Sequence, residues 1–106
     1  FPKALHDETR RKIISLLLNT EVNVSRIAEE VFLDSSTVSY HLLILREAGL
    51  VQKAGRVGKE MYYTTNKDIL QKCVDEFIQD YSNMYGLLGS SEKEKHLKNN
   101  ITISNK

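Results

Sequence analysis

Three residues, Phe32-Leu33-Asp34, are all that separate two amphipathic segments, and so short a connection leaves few ways to arrange them. The first segment is VSRIAEEV, Val24 to Val31, in which Ile27, Ala28 and Val31 share one face at helical spacing. The second covers 35–48, with Val38, Leu42 and Leu45 on one side and His41 at their edge. Each follows a residue whose side chain can accept from the exposed amides of a first helical turn, Asn23 for one and Asp34 for the other. Gly49 stands where a helix end commonly needs a left-handed residue, and Leu50 is an apolar residue to close it. Two helices so closely joined, with the small Ala28 where they must cross, predict a helix-turn-helix.

Set at about 100° per residue, Ser36, Ser39, Tyr40, Leu43 and Glu47 lie opposite the apolar side of the second helix. In a helix-turn-helix that helix enters the major groove of DNA, its N-terminal residues at the base edges. Hydroxyls donate or accept there, and short side chains let the backbone come near. Ser35, Ser36, Thr37 and Ser39 are therefore expected at DNA, with Tyr40 either donating its hydroxyl to a phosphate, the favoured reading, or packing on the wing. Isolated serines at a helix start would do no more than satisfy backbone amides. It is the block as a whole that points to DNA.

The flanking sequence fits a small α+β domain. Asp7 can cap a helix reaching to about Leu18 through Ile13, Ile14 and Leu17, and FPKAL before it reads as the end of a short amphipathic element. Two β-like runs, 50–54 and 60–64, are joined by GRVGK, whose two glycines predict a hairpin with a flexible tip. After Asn66, the residues Ile69, Cys73, Phe77, Tyr81, Tyr85 and Leu88 recur at steps of three or four, with Met84 beside them. That pattern predicts a helix of about 20 residues, or roughly 30 Å. A stripe this long exceeds what so small a domain can cover alone, so a second copy of the chain is the expected partner. The polar face is mixed in sign, which argues against a membrane surface. The segment 89–106 is polar and aperiodic, and is expected to be disordered.

The run ALHDETRRKIISLLLN, then NVSRIAEEV, then LDSSTVSYHLLILREAGLV, then a hairpin ending in YYT resembles the winged helix-turn-helix repressors of the arsenical-resistance (ArsR) family. The order and spacing of the four blocks carry the resemblance. It implies a homodimeric transcriptional repressor in which each subunit offers a recognition helix and a β-hairpin wing, often released from its operator by an effector. The residues leave that effector unidentified, with an apolar small molecule, a redox signal and constitutive repression all open.

Two departures from the family pattern stand out. Phe32 occupies the turn where such proteins usually have glycine, so the turn is expected to be built differently, a left-handed non-glycine residue costing roughly 1 kcal/mol. Tyr40 and Leu43 stand where Lys or Arg is common, which leaves the recognition helix poor in positive charge. The whole chain is nearly balanced, with 15 basic against 14 acidic side chains and a net charge of +1. Cations for phosphate contact must therefore be local: Arg56 and Lys59 at the hairpin tip first, with Lys53 on the strand and Arg10, Arg11 and Lys12 on the first helix as further candidates.

Metal sensing occurs in the resembled family, but the residues argue against it. The stretch NVSRIAE has no sulfur where a thiol pair would be needed. The long helix carries Asp75, Glu76 and Asp80 without a histidine, and Cys73, His6, His41 and His96 are scattered. Neither a metal nor another cofactor is expected. Cys73 lies in the apolar stripe as a small hydrophobe.

The expected architecture is mainly α with a small β-hairpin wing: a winged helix-turn-helix over 1–65, a long dimerisation helix over 66–88 and a polar tail over 89–106. The dimer seam is assigned to Ile69, Cys73, Phe77, Tyr81, Met84, Tyr85 and Leu88, and the DNA contacts to Ser35, Ser36, Thr37, Ser39, Tyr40, Lys53, Arg56 and Lys59. The expected function is repression at an inverted-repeat operator in double-stranded DNA, in the cytoplasm, with no membrane association. No catalytic constellation is visible, so the chain is not expected to be an enzyme. The competing reading is a winged-helix module that binds protein instead of specific DNA, which the apolar Leu43 and low net charge would suit.

Overall fold

The computed structural model describes residues 1–86. The chain runs through a 3₁₀ turn at Lys3–Leu5, helix α1 (Glu8–Leu16), strand β1 (Val22–Asn23), α2 (Val24–Val31), α3 (Ser35–Glu47), β2 (Val51–Val57), β3 (Glu60–Thr65) and α4 (Lys67–Gly86). None of the described helices is long and apolar enough to cross a membrane. Leu88 and the 89–106 tail lie outside the described residues.

Side-chain caps set where the helices begin. The carboxylate of Asp7 accepts from the Arg10 amide at 3.0 Å, the Asn23 side chain from Arg26 at 2.9 Å, and Asp34 from Thr37 at 2.7 Å. Each satisfies a donor that the first turn cannot pair internally. α3 ends as Gly49 predicts. With φ at 78°, Gly49 donates to the Arg46 carbonyl at 2.9 Å and Leu50 to the Leu45 carbonyl at 2.9 Å, the paired bonds of a Schellman closure.

The turn between α2 and α3 differs from expectation. Phe32 adopts the left-handed conformation, with φ 57° and ψ 43°, although it is not glycine. Its amide and that of Leu33 both donate to the Ala28 carbonyl, the second at 3.1 Å. The geometry a glycine would supply is thus kept at a cost of about 1–2 kcal/mol, because Ile27 and Ala28 on one side and Val38 on the other are fixed in the core.

Helix α1 stops at Leu16, short of Leu18, and its last carbonyls are claimed from a distant part of the chain. Thr65, itself buried, donates from its hydroxyl to the Ile14 carbonyl at 3.0 Å and from its amide to the Leu17 carbonyl at 3.0 Å. Thr64 donates from its hydroxyl to the Thr20 carbonyl at 3.0 Å. The end of β3 thereby caps α1 and anchors the hairpin to the helical core.

The sheet is antiparallel in the order β1-β3-β2, and β1, which the sequence pattern gave no sign of, pairs Val22 with Tyr63 and Asn23 with Tyr62. The hairpin strands are longer than the expected 50–54 and 60–64. Gly55, at φ 135°, carries a bulge between Lys53 and Gly55, so β2 continues past it to Val57. Only Gly58 and Lys59 remain as the turn, with Gly58 at φ 61°.

The core is formed by Ile13, Leu17, Ile27, Val38, Leu42, Leu45 and Leu50, all fully buried, joined by Ala4 and Leu5 of the 3₁₀ turn. It belongs to a compact unit, Phe1–Val74, in which Ile69, Leu70 and Cys73 of α4 pack half-buried against it. The part of α4 from Asp75 onward belongs to a second unit. There Phe77, Ile78, Tyr81, Met84 and Tyr85 are all exposed, and the rings of Phe77 and Tyr81 lie 5.1 Å apart, those of Tyr81 and Tyr85 5.7 Å.

Candidate nucleic-acid interface

α3 is held by its inner face and offers its outer one. Val38, Leu42 and Leu45 are at most 1% exposed, whereas Tyr40 is 60% and Leu43 46% exposed. Ser35, Ser36 and Ser39 are also exposed, so the structure brings the hydroxyl-bearing residues together on one side of the helix start. Thr37 is half-buried and joins Asp34 instead. The Asp34 carboxyl is held below the usual carboxylate range by hydrogen bonds from Thr37, side chain and amide, and from the Ser36 hydroxyl at 3.0 Å. Ser36 therefore serves the cap with its proton and keeps its lone pairs for an outside donor.

The electrostatics of this face are weak. Asp34 and Glu47 put negative charge near its two ends, and Arg46 is the helix's one basic residue. The wing carries the cations: Lys53, Arg56 and Lys59 are all exposed. Arg56 sits on β2 opposite Met61, one residue before the strand end, and not in a loose tip as expected. Its Nη1 donates to the Lys59 carbonyl at 3.3 Å, which draws the guanidinium to the turn. Val57, 68% exposed between them, and a groove of about 310 Å³ lined by Glu21, Ala54, Gly55, Arg56, Val57 and Tyr62 complete this side of the wing.

Two further candidate cations are occupied within the chain. Arg10 Nε donates to the Ala4 carbonyl at 2.7 Å and its Nη1 lies 3.4 Å from His41 Nδ1, while Arg11 Nη1 donates to the Leu5 carbonyl at 2.7 Å. These guanidinium groups latch the 3₁₀ turn onto α1. Lys12 lies 3.8 Å from Glu8 on the exposed side of α1. Sequence reading missed the latch because nothing in the composition of FPKAL says that its carbonyls face those arginines. Half-buried His41 is part of the same arrangement, in keeping with a structural role.

Among the described residues, no three His, Cys, Asp or Glu side chains converge so as to hold a metal ion.

The model of the arsR family of bacterial regulatory proteins matches residues 7–53. The transcriptional repressor SdpR of Bacillus subtilis is 36% identical over 73 residues, covering 69% of this chain and 80% of that protein. A cadmium resistance transcriptional regulatory protein, a CadC homologue from Staphylococcus aureus, is 33% identical over 75 residues, covering 70% of this chain and 61% of that protein. Among solved structures, a homodimeric winged helix-turn-helix DNA-binding domain from Mycobacterium bovis, described as a possible ArsR-family regulator, superposes with a TM-score of 0.62. It is 30% identical, over 74% of this chain and 73% of that one.

Proposed function

The chain belongs to the arsR family of bacterial regulatory proteins, and from that premise we propose that it represses transcription as a homodimer that reads an inverted repeat in double-stranded DNA. α3 lies in the major groove with Ser35, Ser36, Ser39 and Tyr40 at base edges and phosphates, and Thr37 orders the helix start beneath them. Lys53, Arg56 and Lys59 of the wing meet the backbone or the minor groove. The observation that carries this reading is the division of α3: a sealed apolar side under an exposed row of hydroxyls, launched by a three-residue turn.

A second copy covers the apolar side of α4, through Phe77, Tyr81, Met84 and Tyr85 and whatever surface of Ile69 and Cys73 their own core leaves open. Two-fold symmetry then sets the recognition helices about one DNA turn, roughly 34 Å, apart. The homodimeric Mycobacterium bovis domain supports the assembly, and the repressor SdpR supports the sense of regulation. No metal takes part: α2 has no thiol and Cys73 is the single cysteine. Regulators of this kind work beside the chromosome, in the cytoplasm.

Sequencing the genomic fragments retained by the purified protein tests the reading. The expected result is an inverted repeat bound far more tightly than random duplex, unaffected by chelator. Arg56→Ala should weaken all sequences alike and lower the salt dependence by about one phosphate contact. Equal affinity for retained and random duplex would overturn the proposal in favour of the protein-binding module that Leu43 and the low net charge would suit.

A further inference from the structure

Ser36, Ser39, Tyr40, Leu43 and Glu47 share an arc of roughly 100° on α3, and all five are exposed. Leu43 occupies the middle of that row, one turn beyond Ser39 and Tyr40, with 46% of its surface open. A lone exposed leucine on a protein surface means nothing in itself. Its place here is what matters, because a row laid into a groove confronts each side chain with a base edge. Leucine neither donates nor accepts a hydrogen bond. Against a guanine or cytosine edge it would strip water from polar atoms and return nothing, the costly side of the hydrogen-bond balance. The major groove has a single apolar feature, the 5-methyl group of thymine.

We propose that Leu43 is a specificity-determining residue that reads thymine 5-methyl groups in the major groove, so that each half-site carries a thymine facing the second half of α3. Tyr40, 60% exposed on the same face, walls one side of that contact, and Ser39 supplies the polar neighbour one turn earlier. The assignment rests on the DNA-binding reading above and sharpens it: selectivity at this position comes from burying a methyl group, where a basic residue would have read guanine.

The test uses duplexes that the full chain enriches from a random-sequence pool. Replacing thymine by deoxyuridine removes only the methyl group and leaves every hydrogen-bonding edge intact. Wild-type protein should lose about 4-fold in affinity for each contacted methyl, the partition gain of one buried methyl-sized group, and so roughly 15-fold for two half-sites. Leu43→Ala, a change at an exposed position that should leave the circular dichroism spectrum unaltered, should bind the thymine duplex more weakly and be nearly indifferent to the replacement. Equal wild-type binding to both duplexes would overturn the proposal. So would a Leu43→Ala variant that keeps the full sensitivity, since a change in duplex stiffness would affect both proteins alike. A pool that yields no enriched sequence removes the DNA-binding reading and this assignment with it, an outcome distinguishable from the other two.

Discussion

α3 and the outer part of α4 are both amphipathic, yet they leave opposite surfaces bare. In α3 the apolar side is sealed by the chain's own core, Val38 and Leu45 at 0% exposure and Leu42 at 1%, and what remains outside is chiefly hydroxyl and aromatic. In α4 beyond Val74 the apolar residues themselves are outside: Ile78 at 57%, Tyr81 at 48%, Met84 at 62% and Tyr85 at 56%. A helix that has satisfied its hydrophobic side internally can spend its exposed face on a polar, charged partner. One that has not must find apolar cover, and an identical helix is the cover always present at the right concentration. The two helices therefore point to two kinds of partner, and substitutions on them should fail in different ways.

The largest effect is expected on α4. Tyr81→Asp puts a carboxylate into the proposed seam, where an uncompensated buried charge costs on the order of 4 kcal/mol. Sedimentation should show a dissociation constant raised more than 100-fold, and affinity for an inverted repeat should fall with it, while the circular dichroism spectrum keeps the helical content of the compact unit and its unfolding midpoint falls only by what dimerisation adds. A variant that remains dimeric at wild-type concentrations would break the contrast, since α4 would then not be the seam.

On α3 the contrast lies within one helix. Leu42→Ala removes a fully buried side chain and should destabilise the fold by about 3 kcal/mol in urea titrations. Tyr40→Ala, two positions away on the outer face, should change stability by less than about 0.5 kcal/mol and act on DNA discrimination instead. Similar losses of stability from the two substitutions would mean that α3 has no outer face of the kind described.

How much of this was legible beforehand depended on whether the signal was local. Asn23 and Asp34 marked the starts of α2 and α3 to the residue, because a cap is a bond to a backbone amide three positions on. Gly49 marked the end of α3 for the same reason. The inner and outer sides of α3 followed from helical period alone. The two-residue strand β1 leaves no period to read, and its pairing with Tyr62 and Tyr63 depends on chain about 40 residues away. Thr64 reads as an ordinary strand residue and Thr65 falls beyond the expected strand, and their hydroxyl bonds to the Thr20 and Ile14 carbonyls are equally remote in sequence. Gly55 reads as loop in the sequence because a glycine that carries a bulge and one that breaks a strand are the same letter. In the candidate interface, the exposed side of α3 follows from period, but the tethering of Arg10 and Arg11 to backbone carbonyls does not.

The smallest effect concerns the turn that launches α3, and it sharpens the claim that this helix is fixed by its own chain. Phe32 and Gly49 both sit in the left-handed region, at φ 57° and 78°, one with an aromatic side chain 92% exposed and the other with none. Phe32→Gly removes the steric penalty of about 1–2 kcal/mol, gives back part of it through the greater freedom of the unfolded chain, and loses almost no packing. A net gain of about 0.5–1 kcal/mol is expected, seen as a rise of a few degrees in Tm. Gly49→Ala should do the reverse by a similar amount, since an added Cβ would meet Ile69 Cγ2 at an ordinary 3.9 Å and the cost is conformational alone. Dimerisation should be unchanged in both variants. If Phe32→Gly instead lowered Tm, the aromatic ring would be supplying stability through contacts that its exposure rules out, and the turn would not be the strained element that the sealed core holds in place.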